Sequence, residues 1–330
     1  MPSYPRYLSE EFLNLSVPGG PLNFLVSDYP QSAIPDRYAL DVQLRDGNTL
    51  QYYHGTNSLI RIAFNGTSLQ ADAANTYRSL PGFDDLFMPC PLEPVALQEY
   101  KRRLPSYLAA AFSAADPRWY GNKSEGYWQN RLSICFGRDW RPGMDWLVLD
   151  REACIAFESR TAQEQLLNPH RAKLLAIRQQ LRSEAPILWG TPAADDSLGG
   201  KLDFLALGPD KELICVELKH GANASGTYWG PLQACAYRED FRLVIDHVTE
   251  DIKRLVRQKI MLGLLPAEAA NRIPVEKFRG VECVLAVAAP NDDSSCWDRL
   301  RDVMLRYPET RLPVVQVRSY EDLGLVLKAF

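Results

Sequence analysis

Apolar and polar positions alternate in three short runs near the start of the chain, 39–44, 50–54 and 59–64. A period of two predicts β-strands with one face in a core. Asp46-Gly47-Asn48 supplies the turn between the first two runs. The spacing becomes helical over 93–115, with Pro105 absorbed by a kink or a break. Strand-like runs return at 131–136, 146–149 and 153–157. Beyond Glu158, helical and strand patterns take turns. Asn168-Pro169 pairs a capping residue with a proline at the first helical position. It predicts a helix over 170–183 with Leu174, Ile177 and Leu181 at core spacing. Strands at 201–207 and 212–219 flank Gly208-Pro209-Asp210-Lys211. A Gly-rich loop, 221–230, leads to a helix that opens at Gly230-Pro231 and continues with breaks to about 264. A run that is apolar but for Glu282 predicts a buried strand over 281–288. The tail reads as helix 296–306, strand 314–317 and helix 321–329, whereas residues 1–40, rich in Pro, Ser and Tyr, read as irregular surface structure. The expectation is an α/β (α+β) chain. A β-rich domain occupies 1–157, and 158–330 form a mixed central sheet flanked by helices.

Composition narrows the function classes. With 46% hydrophobic and 24% charged residues the chain is globular and not disordered. No apolar run is long enough to span a bilayer, and the first residues have no secretory h-region. Seven cysteines without a C-x-x-C pair predict reduced thiols in a cytoplasmic protein rather than disulfides or a zinc site. The net charge of −4 is spread evenly, which excludes a protein that coats nucleic acid. Any such contact must use a local patch.

The chemistry is concentrated in one predicted hairpin. Centring the turn on Asp210 sets Leu207 opposite Leu213, Leu205 opposite Cys215 and Asp203 opposite Glu217. Opposed residues project to the same sheet face, and alternation puts Lys219 on that face too. Two carboxylates facing each other on an apolar sheet repel, and Lys219 offsets only part of the cost. A divalent cation would relieve the rest. Hard oxygen ligands without His or Cys favour Mg²⁺ or Mn²⁺. Such a site suits phosphodiester hydrolysis.

Gly199-Gly200-Lys201-Leu202-Asp203-Phe204-Leu205 and Val216-Glu217-Leu218-Lys219 resemble the motifs of the PD-(D/E)XK nuclease superfamily. The resemblance covers about 160–290. It extends to Gln233 and Tyr237, one helical turn apart as in the Q-x-x-x-Y helix of many members. Leu202 stands where the literal motif has proline. The resemblance implies a helix–strand–strand–strand–helix–strand core, here helix 170–183, a strand near 186–190, the hairpin, helix 231–240 and strand 281–288. It also implies Asp203, Glu217 and the Leu218 backbone carbonyl as metal ligands, Lys219 as catalytic lysine and Gln233 in a supporting role. Members often add an acidic residue from the first helix, here Glu164 or Glu184, with Glu164 favoured. The implied activity is a Mg²⁺- or Mn²⁺-dependent nuclease acting on DNA in restriction, defence or repair. A homodimer is left open.

Other features carry two readings each. Arg171, Arg178 and Arg182 form either a phosphate-facing stripe or a solvated helix face. His220 is a candidate catalytic group on the opposite sheet face. Trp229 either stacks on a base or packs in the core. The same choice applies to Tyr52-Tyr53-His54-Gly55 and Tyr127-Trp128-Gln129-Asn130-Arg131. The competing functions are a catalytically silent module of the same fold that binds nucleic acid or a protein, and a metal-dependent hydrolase on an unrelated sheet.

Overall fold

The computed structural model describes residues 1–27, 36, 38–116, 120, 124–190, 197–318 and 325–328. After helix α1 (Glu10–Ser16), capped by the Ser9 hydroxyl at the Phe12 amide, the alternating runs become strands. These are β1 (Asp41–Arg45), β2 (Thr49–His54), β3 (Asn57–Phe64), β4 (Ser68–Asp72) and β5 (Cys90–Pro91), with the short helix α2 (Asn75–Arg78) between the last two. They form one antiparallel sheet in the order β1-β2-β3-β4-β5. Asp46 and Gly47 make the first turn with φ of 51° and 78°, left-handed values that Asp and Gly tolerate. Helix α3 (Pro94–Ala114) carries Pro105 without a break.

The alternation over 131–136 misleads. Those residues lie in helix α4 (Glu125–Ser133) and the π-helical turn Ile134–Arg138. Every residue of α4 beyond Glu125 is buried, so no polar face marks the helical period. The two aromatic stretches are core, not contact surface. Trp128 is fully buried. His54 packs on Phe112 and Tyr120 at centroid distances of 4.2 and 4.0 Å. Asn130 Nδ2 donates to the carbonyls of Tyr38, Ala39 and Tyr53 at 3.1, 2.9 and 3.3 Å.

The second sheet holds the candidate site. The run 146–149 lies in strand β6 (Leu147–Ala153), whereas the strand expected over 153–157 does not form: beyond Ala153 only Ala156 makes an isolated bridge, with Ser3. Helix α5 (Arg160–Glu184) begins well before Asn168, because Ser159 caps it by accepting from the Ala162 amide; Pro169 sits inside it. The segment expected as a strand near 186–190 is a single helical turn, α6 (Pro186–Trp189). Trp189 anchors it against Tyr228 and Trp229 at 5.5 and 5.3 Å. Strands β7 (Leu202–Leu207) and β8 (Leu213–His220) follow. Helix α7 (Ala224–Met261) starts earlier than Gly230-Pro231 because Asn223 caps it at the Gly226 amide, and it runs unbroken past Pro231. Strand β9 (Val281–Ala288), helix α8 (Cys296–Arg306) and strand β10 (Val314–Val317) match expectation. Of the expected last helix, Leu325–Leu327 is instead strand β11; 321–324 and 329 lie outside the described residues.

The strand order is β11-β10-β9-β8-β7-β6. Pairing is antiparallel for β7/β8 and β10/β11, and parallel for β8/β9 and β9/β10. The chain is thus mixed α/β with two sheets. It divides into two compact units, each discontinuous in sequence. One comprises Met1–Tyr4, Asp150–Thr249 and Pro274–Phe330, the other Pro5–Leu149 and Glu250–Ile273. A single cut after 157 differs from this division because β6 and α7 each continue through a boundary. Among the described residues no helix is long and apolar enough to cross a membrane.

Replacing Asn130 by Leu removes a donor from three carbonyls, of which that of Ala39 keeps the His54 Nδ1 at 2.8 Å. It should cost about 1–3 kcal/mol, read as a lower urea midpoint at unchanged m-value. An unchanged midpoint would show that Asn130 does not organise this core.

Candidate active site

The hairpin pairs Phe204 with Val216, Leu205 with Cys215, Ala206 with Ile214 and Leu207 with Leu213. Continuing that register by one step sets Asp203 against Glu217. There the ladder gives way to a side chain: Asp203 Oδ2 accepts the Leu218 amide at 2.8 Å. Glu217 is 2% exposed, and Lys219 Nζ lies 2.5 Å from its Oε1. All of β8 is buried, so these charges sit in an interior that both sheet faces close off from water. Asp203 is half-buried. Burial pushes its carboxyl above the ordinary carboxylate range, against the pull of the Lys219 ammonium, the Leu218 N–H and the Arg151 guanidinium; the charge of Glu152 adds to the rise.

Helix α7 braces the segment that leads into β7. A Cβ built on Gly199 would come within 2.7 Å of the Tyr237 hydroxyl and 2.9 Å of Gln233 Nε2. Gln233 and Tyr237 therefore both reach the same turn, as residues one helical turn apart should. Tyr237 donates to the Lys201 carbonyl at 2.7 Å. Burial raises its hydroxyl pKa, and the negative charges of Glu217 and Asp203 add to the effect.

The arginine stripe of α5 is neither phosphate-facing nor solvated. Arg171 grips Asp240 with Nε and Nη2 and donates from Nη1 to the Gly199 carbonyl at 2.8 Å. His170 Nε2 meets the same carboxylate at 2.7 Å. Arg178, buried, donates to the Ser197 carbonyl at 3.1 Å. Arg178 and Arg182 both lie over the Trp229 ring, at 5.4 and 5.7 Å. Trp229 is 5% exposed, so it serves core packing and not base stacking. His220 points away from Lys219, and its Nδ1 accepts the Ala222 amide at 3.1 Å; burial lowers its pKa.

Neither upstream glutamate is drawn to the hairpin by its contacts. Glu164 is a half-exposed partner of Arg160 at 2.7 Å. Glu184 is bound by Arg306 and Gln180. The acidic group that acts on Asp203 is Glu152, from β6, the strand next to β7. Glu152 has φ of 48°, a left-handed value that is strained for a side chain of this kind. Fully buried Arg151 is its neighbour. The signal for both was present in the sequence: Asp150-Arg151-Glu152 puts three charges directly after an apolar run, where a buried strand needs a reason for them.

Two carboxylates without His or Cys suit Mg²⁺ or Mn²⁺, which commonly use one or two protein carboxylates and leave other positions to water and substrate phosphate. Among the described residues no three His, Cys, Asp or Glu side chains gather as a group able to hold a metal. The seven cysteines are thiols, five of them buried. Compared with protein-family profiles, curated proteins and solved structures, the chain matches none.

Two outcomes follow. Because folding raises the Asp203 pKa, its contribution to stability is full below the ordinary carboxylate range and is lost as pH rises through the raised value. Asp203→Asn, which keeps an acceptor for the Leu218 amide, should therefore raise the metal-free melting temperature at pH 7, with the gain vanishing in acid. A lower melting temperature at pH 7 would show that the carboxylate is already well compensated. Gly199→Ala has φ of 79° and the two contacts above against it. It should destabilise by about 1–3 kcal/mol in chemical denaturation; a neutral result would show the brace to be loose.

Proposed function

We propose that the chain is a Mg²⁺- or Mn²⁺-dependent nuclease of the PD-(D/E)XK type that hydrolyses phosphodiester bonds of DNA. The observation that carries this is the Asp203–Glu217–Lys219 cluster, buried on one hairpin and braced by Gln233 and Tyr237 from the next helix. Strands β6 to β9 would form the central sheet, with α5 and α7 as its helices. One departure from the implied order is that the first strand, β6, precedes α5.

Asp203 and Glu217 would hold the cation, with the Leu218 carbonyl as a further ligand. When bound, the cation lowers the pKa of water and polarises a phosphoryl oxygen. Lys219, two residues along the strand and already within ion-pair distance of Glu217, would orient the attacking water and stabilise negative charge as it grows on the phosphate. Gln233 and Tyr237 keep the turn ahead of Asp203 in place, so that the carboxylate has one position.

A specific observation favours a second function, the catalytically silent module. Asp203 Oδ2 is engaged by the Leu218 amide and Glu217 Oε1 by Lys219, and no three-ligand group is present among the described residues. Incubation with DNA duplex, single-stranded DNA and RNA in Mg²⁺ and in Mn²⁺ separates the two. The nuclease cleaves at least one of them in a chelator-sensitive way; the silent module binds without cleaving.

The variants divide the roles further. Lys219→Ala should lower the rate by about 10²–10³ yet keep the melting-temperature gain that Mn²⁺ gives the wild type. Asp203→Ala should lose both cleavage and that gain. Arg at 219 should not rescue, because a guanidinium holds its proton and has another shape. Wild-type-like cleavage by Lys219→Ala, where Asp203→Ala is dead, would remove the lysine from the mechanism.

A further inference from the structure

The segment 197–201 enters β7 with its backbone tied down and its charged side chain in solvent. Every second carbonyl is captured. Arg178 donates to Ser197, Arg171 to Gly199 and Tyr237 to Lys201, at 3.1, 2.8 and 2.7 Å. These three side chains stand in for a neighbouring strand along an edge that would otherwise be open. The backbone of Lys201 is therefore fixed, while its side chain is 61% exposed. The contrast with Glu217 and Lys219 at 2% and 11% is sharp.

The Lys201 ammonium stands beside the site. Its Nζ is 3.2 Å from Glu152 Oε2, and Glu152 is close enough for its charge to act on Asp203. Glu152 lies on β6, the strand next to the β7 that carries Asp203. One exposed cation thus pairs with the strand that neighbours Asp203. An exposed Lys–Glu pair is weak and easily exchanged, and a phosphate oxygen is a stronger partner for an ammonium.

We propose that Lys201 contacts a non-bridging oxygen of the nucleic-acid backbone as substrate enters, releasing Glu152, and that this contact sets substrate affinity and not the chemical step. This rests on the nuclease assignment above. Lys219 and Lys201 then divide the work: the buried lysine acts at the reacting phosphate, the exposed one on a phosphate beside it. An ordinary surface ion pair would make no difference to substrate affinity, so the two cases separate.

The test uses the full chain in Mn²⁺ with a fluorescein-labelled DNA duplex of mixed sequence and its single strand, followed for KM, kcat and salt dependence. Lys201→Ala should raise KM about tenfold at unchanged kcat, and should reduce the slope of log affinity against log salt by about 1. Lys201→Arg should restore both, because a phosphate contact needs only the positive charge, and Lys201→Glu should raise KM further. An unchanged KM and salt slope in Lys201→Ala, with an active wild type, would overturn the role of Lys201 and leave the nuclease assignment standing. A loss confined to kcat would overturn it too, since it would place Lys201 in the chemical step or in support of Asp203. A wild type that neither cleaves nor binds either probe would overturn this contact together with the nuclease assignment.

Discussion

Two carboxylates opposed across one hairpin, one of them on a strand buried along its whole length, are the constraint that the rest of the site answers. Glu217 at 2% exposure has little water to screen it, and Asp203 is pushed toward its neutral form by burial. Each local contact reduces that cost in part. Lys219 supplies a cation to Glu217, the Leu218 amide a donor to Asp203, and Arg151 a second positive charge from β6. An apolar pair at these positions would be cheaper for stability alone. On the proposed reading, the charges are kept and only partly compensated because a further cation completes them.

Around this pair the structure is arranged to hold position. The guanidinium groups of Arg171 and Arg178 turn inward, where Asp240, Trp229, Tyr237 and the carbonyls of Ser197 and Gly199 occupy them. The Gly199 turn is closed so tightly by Gln233 and Tyr237 that a methyl group has no room. The residues that resemble a superfamily's supporting helix therefore have a defined mechanical task. They fix the entrance to β7, and with it the direction in which Asp203 and Lys201 project.

The hairpin was legible in the sequence because its register follows from symmetry about one turn. Lys211, with φ of 65°, completes a tight reversal, and the apolar residues on either side leave no other pairing that buries them. Strand β9 and helix α8 were legible for similar reasons, one apolar at every position but Glu282 and the other strongly two-faced. Helix α4 was hidden because it is buried all round, and burial on every side erases the period that identifies a helix. The starts of α5 and α7 were missed because Pro169 and Pro231 looked like first-turn prolines, whereas Ser159 and Asn223 had already opened each helix. An acidic neighbour of Asp203 was sought on the helix that precedes it, at Glu164 or Glu184. It comes from the edge strand β6, and only the sheet order brings Glu152 there. That adjacency joins residues far apart in the chain and leaves no local pattern to read.

The central claim is that Asp203 and Glu217 form one cation site. Isothermal titration of Mn²⁺ into the wild type and into Asp203→Ala tests it without reference to any substrate. The account predicts a single class of Mn²⁺ site in the wild type that disappears in Asp203→Ala, while Lys219→Ala retains it. Equal Mn²⁺ binding by wild type and Asp203→Ala, or no binding by either, would contradict it.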